Sequence, residues 1–82
     1  MDSDASVFED TFERASQNEG VWRGRVGGNG LVHLHLFIYR KGRLFAKRYM
    51  GSVTLRNEDT FFVFKSAVPE DDEWTWVIKA YS

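Results

Sequence analysis

The chain has 82 residues, 43% hydrophobic, 16% aromatic and 28% charged, with one proline, no cysteine and a net charge of −1. This describes one small domain, 1–82, with enough apolar material for a core, which excludes wholesale disorder, collagen-like repeats, a disulfide scaffold, a zinc ribbon and thiol chemistry. No apolar run approaches the roughly 20 residues of a membrane helix, so no membrane role is expected.

The first predicted element is a helix over residues 6–18. Phe8, Thr11, Phe12 and Ala15 recur at the spacing of one helical face, widened by Val7. Ser6 and Glu9 stand at capping-box separation, Asp2 and Glu9 suit the positive end of a helix dipole, and Gly20 suits a C-cap. Such a helix is marginal alone and has to pack on something.

From residue 21 onward the pattern is short strands divided by turn residues. Residues 21–26 put Trp22 and Val26 on one face and Arg23 and Arg25 on the other. Gly27-Gly28-Asn29-Gly30 reads as a hairpin loop. In residues 31–39, Val32, Leu34, Leu36 and Ile38 face one way and His33, His35, Phe37 and Tyr39 the other. Lys41-Gly42 is a tight turn. Strands are predicted at 44–50, 53–56 and 60–65, with Asn57-Glu58-Asp59 as a turn between the last two. An acidic loop, 66–73, leads to a final strand, 74–81. That strand sets Trp74, Trp76 and Ile78 against Thr75, Val77, Lys79 and Tyr81. The expected fold class is α+β: an N-terminal helix on a curled antiparallel meander of five to six strands, or a half-open small barrel.

The charged residues are strongly segregated. Residues 20–57 carry eight bases and no acid, whereas the segments before and after them carry six acids each, which makes the overall pI a poor guide to partners. Around one turn stand Arg40, Lys41, Arg43, Lys47 and Arg48. Arg23 and Arg25 come from a strand expected to lie nearby, and Trp22, Phe37, Tyr39, Phe45 and Tyr49 are interleaved with the bases. Basic side chains match phosphates, and aromatic faces on a sheet stack bases. The leading expectation is therefore a non-catalytic domain binding single-stranded nucleic acid, RNA favoured. Arg23, Arg25, Arg40, Lys41, Arg43, Lys47 and Arg48 would hold phosphates, and Phe37 and Tyr39 would stack. The competing interpretation of the same pattern is internal neutralisation by the flanking acids.

The alternative function is a protein-interaction module or inhibitor of phage or viral type. It would act through an acidic helix (Glu9, Asp10, Glu13) and an acidic loop (Glu70, Asp71, Asp72, Glu73). Trp74 and Trp76 are expected in the core. A homodimer would bury surplus aromatic surface. His33 and His35 have the i,i+2 spacing of two metal ligands, but no third ligand is near them in the sequence, so no metal or cofactor is expected. No nucleophile elbow, phosphate loop or spaced carboxylate pair marks an enzyme. The acidic beginning of the chain predicts the cytoplasm or nucleus rather than secretion.

Overall fold

The alternation of apolar and polar residues in 21–26 and 31–39 dictates extended backbone with one buried face. In the computed structural model, which describes residues 4–82, these stretches are two halves of one strand. Among the described residues the fold has four strands and no helix: β1 (Asp4–Ser16), β2 (Glu19–Arg40), β3 (Arg43–Ala67) and β4 (Thr75–Tyr81). All pairings are antiparallel. β3 lies along one edge of β2 for its whole length. The other edge of β2 is shared, with β1 on residues 19–29 and β4 on residues 33–39.

The sheet curls until its apolar face closes on itself. Residues 22 and 38 of a straight strand would lie about 50 Å apart. Here Trp22 sits with its ring centroid 6.2 Å from that of Trp76, the cross-strand partner of Ile38. Trp22, Val26, Val32, Leu34, Leu36 and Ile38 of β2 form the core, completed by Leu55, Val68 and Ile78. Trp74 and Trp76 pack against it, as expected from their alternation.

The bend falls where the sequence predicts a hairpin loop. Residues 27–30 do not reverse the chain. They continue β2 through a bulge, with Gly28 at φ 138° and Gly30 at φ 98°. Opposite them Asn57, at φ 55°, is the extra residue of β3, so the predicted turn at 57–59 is the same bend seen from the neighbouring strand. True reversal occurs at Lys41-Gly42, whose φ values of 52° and 76° fit a two-residue turn matched to strand twist.

The predicted N-terminal helix and the α+β class are overturned. Residues 6–18 fall in β1 and the turn after it, and Asp2 lies outside the described residues. Ser6 pairs with Gly27 rather than capping a helix, and Gly20 pairs with Arg14 within the ladder. The physical reason is a bulge between Phe8 and Thr11, where Glu9 takes φ 55°. The inserted residue shifts the inward phase, so Val7 and Phe12, five apart, both reach the core side. A helix here would satisfy only its own backbone and leave half an edge of β2 unpaired. Gly24 permits the bulge, since a Cβ there would stand 3.0 Å from the Asp10 Cα and 2.7 Å from Phe62 Cζ.

The five-to-six-strand meander is corrected for a related reason. The three strands predicted between 44 and 65 are one strand, β3, whose ladder is interrupted at Phe45, Met50 and Asn57. The chain then crosses the end of the sheet to reach the far edge of β2. The Val68 amide donates to Asn18 O at 3.0 Å. The Arg14 guanidinium donates to Pro69 O and Asp71 O, both at 3.0 Å, and to the Asp72 carboxylate at 3.2 Å. The acidic segment is thus strapped to the β1–β2 turn. A small single domain with an antiparallel sheet is what the sequence and the structure agree on.

Candidate functional site

Because side chains alternate along β2, burying Val32, Leu34, Leu36 and Ile38 forces His33, His35, Phe37 and Tyr39 onto the opposite face. Cross-strand pairing supplies their neighbours. His35 stands between Tyr49 and Lys79, Phe37 between Lys47 and Val77, and His33 between Ser52 and Tyr81. The result is a three-stranded aromatic and basic platform. The His35 ring lies 5.2 Å from Tyr49, 5.6 Å from Tyr81 and 6.3 Å from Phe37. Lys47 and Lys79 each place their ammonium 5.5 Å from the Phe37 ring, one from either side. The paired stretches 33–39, 44–52 and 75–81 contain no aspartate or glutamate.

Two details fix the histidines. His33 Nδ1 lies 2.9 Å from the Tyr49 hydroxyl, a hydrogen bond. His35 Nδ1 is enclosed and has no hydrogen-bond partner among the described residues. Burial, then the nearby Lys47 ammonium, then His33 hold the His35 pKa below 6.5, so the ring is neutral at pH 7. The unfolded chain therefore binds a proton more readily than the folded one. This contribution to stability is complete above pH 6.5 and is lost as the pH falls through the lower folded-state value. A thermal-melting series from pH 8 to pH 5 should show a decline on the acid side that His35→Phe flattens.

The basic residues singled out in the sequence do not form one surface. Phe37 and Lys47 belong to the platform, with Tyr39 at its end between Leu44 and Thr75. Lys41 is in the tight turn and Arg43 follows it. Arg48 pairs with Leu36 and lines a separate cleft. Arg23 and Arg25 lie on the other half of the sheet and are held by acids. Arg23 meets Glu13 at 3.4 Å. Arg25 meets Asp59 at 2.8 Å and Glu9 at 3.7 Å, with the Phe61 ring 4.8 Å away. Arg40 pairs with Asp71. The neutralisation weighed from the sequence thus applies to Arg23, Arg25 and Arg40. Among the described residues it does not extend to Lys47 or Lys79, for which no ion pair forms.

Five of the seven acidic residues of the alternative reading, Glu9, Glu13, Glu70, Asp71 and Asp72, are correspondingly occupied. Glu9, Asp10 and Glu13 lie on a bulged strand, not a helix. Glu9 and Glu13 hold arginines, Asp72 holds Arg14, and Glu70 accepts from Gln17 at 3.3 Å. The Asp71 carboxylate is kept below its usual pKa by the Glu73 backbone amide, which donates to it at 2.9 Å, and by Arg40. Glu73 thus orders the loop through its backbone.

Lys79 and Tyr81 are absent from the sequence-derived site, although their own alternation set them on one face. The missing signal was the pairing of β4 with β2, some forty residues away in the chain. The cleft, of about 420 Å³, lies between Ile38, Phe45 and Ala46 on one side and residues 67–71 on the other. Among the described residues no three histidines, aspartates or glutamates converge as a metal site. No protein family, curated protein or solved structure matches the chain.

Proposed function

We propose that the chain binds single-stranded nucleic acid on the outer face formed by residues 33–39, 44–52 and 75–81. The observation that carries this reading is the Phe37 ring flanked by Lys47 and Lys79, in an aromatic field without a carboxylate. Phe37, Tyr49 and Tyr81 offer faces to unstacked bases, and stacking contributes about 1–3 kcal/mol per base. Lys47 and Lys79 hold phosphates, joined by Lys41 and Arg43 from the adjoining hairpin tip. Arg23, Arg25 and Arg40 have no direct part, because each is already bound to a carboxylate. No catalysis is invoked.

The test is fluorescence anisotropy with labelled single-stranded RNA, single-stranded DNA and duplex DNA over a salt series. Single strands should bind more tightly than duplex, whose bases are already stacked. Affinity should fall with salt at a slope of about 0.7 per phosphate contact. The RNA and DNA arms decide which sugar is preferred. Absence of binding to any single strand at low salt would overturn the reading.

A further inference from the structure

Among the described residues β3 pairs with β2 on one side only, so a 25-residue strand presents a free edge. Edges of this kind template pairing with another chain unless something guards them. The other edges are guarded. β1 is broken by two bulges, and β4 is only seven residues long. The first half of β3 is guarded as well, by irregularities at Phe45, Met50 and Asn57. Residues 58–67 are different. Their ladder to β2 has no bulge, and 60–64 read Thr-Phe-Phe-Val-Phe, without charge, proline or glycine. On the outer face of this stretch Phe61 is 75% exposed and Val63 61% exposed.

We infer that this edge is the interface of a homodimer, two copies of β3 pairing antiparallel about a two-fold axis at Phe62. The register follows from side-chain direction. A two-fold axis must set outward residues against outward residues, so it passes through a residue and not between two. Centred on Phe62, it places Phe61 opposite Val63 of the second copy and Asp59 opposite Lys65 of the second copy. Centred on Phe61 it would bring Lys65 against Asn57. Centred on Val63 it would bring Lys65 against Phe61. Only the Phe62 register joins opposite charges at both ends while covering the exposed phenylalanine and valine. Among the described residues Lys65 has no ion pair within its own chain. Asp59 already faces Arg25 at 2.8 Å, and the lysine of the second copy would approach from its free side.

The experiment is sedimentation velocity on the full chain over a concentration series into the tens of micromolar. The expected species is twice 9.5 kDa. Lys65→Glu sets like charges opposite each other at two symmetry-related places and should weaken association about tenfold. Adding Asp59→Lys to Lys65→Glu restores opposite charges and should restore association, which a merely unfolded variant could not do. Val63→Lys, at an exposed position, should give a monomer with unchanged circular dichroism. A wild-type chain that stays monomeric overturns the inference. So does a dimer indifferent to Lys65→Glu and Val63→Lys, since its interface would lie elsewhere. The outcome is independent of nucleic-acid binding, because the platform and this edge share no residue.

Discussion

Replacing Trp22 by alanine should remove a large part of the chain's stability, about a quarter to three quarters of it. Trp22 is completely buried at the point where the curled sheet meets itself. Its ring lies 4.9 Å from Phe12, 6.4 Å from Phe64, 6.4 Å from Trp74 and 6.2 Å from Trp76, so four aromatic neighbours from three strands and the loop before β4 lose a common contact. Truncating a buried aromatic residue to alanine costs about 3–5 kcal/mol, and a domain of this size has only roughly 4–12 kcal/mol in total. The indole Nε1 has no hydrogen-bond partner among the described residues, and removing that buried donor recovers part of its desolvation cost. The expected loss therefore sits near 3 kcal/mol for alanine and is smaller for Trp22→Phe, which keeps a ring and has no donor. Urea unfolding followed by far-ultraviolet circular dichroism measures both. An alanine variant as stable as wild type would mean that the curled sheet is not held by this aromatic cluster.

What was legible in the sequence follows from strict alternation. Val32 to Ile38 and Trp22 to Val26 declared their buried face because β2 is regular there, and the Lys41-Gly42 turn declared itself through its need for positive φ. Legibility stopped at the bulges. One extra residue at Glu9-Asp10 turned a strand period into an apparent helical one, and extra residues at Phe45, Met50 and Asn57 made one strand look like three. The glycines at 28 and 30 signal unusual φ in the sequence and adopt it in the structure. Their purpose was a bend rather than a reversal, which depends on partners far along the chain. The candidate site divides in the same way. His33, His35, Phe37 and Tyr39 were placed on one face from the sequence. The alternation in 44–50 does not say which face Lys47 and Tyr49 take, because the bulge at Phe45 hides the phase of their strand, and Lys79 and Tyr81 need the β4–β2 pairing. Charge segregation was a weaker guide than geometry, since Arg23, Arg25 and Arg40 meet their acids only after the sheet curls.

Reversing the two platform lysines should abolish binding of single strands. Lys47 and Lys79 come from different strands on either side of β2, both are exposed, and both flank Phe37, so a strand crossing that ring passes between them. Lys47→Glu with Lys79→Glu removes two phosphate contacts and adds repulsion. Affinity should fall at least about a hundredfold at low salt, with any residual salt slope lower by about 1.4. Arg23→Ser, which alters a surface arginine already bound to Glu13, should change affinity less than about twofold, since exposed ion pairs of this kind contribute little. Losing two cation–π contacts costs about 1–2 kcal/mol of stability, partly offset by relief of repulsion between the lysines, so the double variant should remain folded. A second readout needs no nucleic acid. Lys47 is among the causes of the depressed His35 pKa, so a glutamate in its place should raise the His35 titration, which NMR of the imidazole ring follows directly. If that titration moves upward while single-strand affinity stays at the wild-type value, the platform is built as described but nucleic acid binds somewhere else.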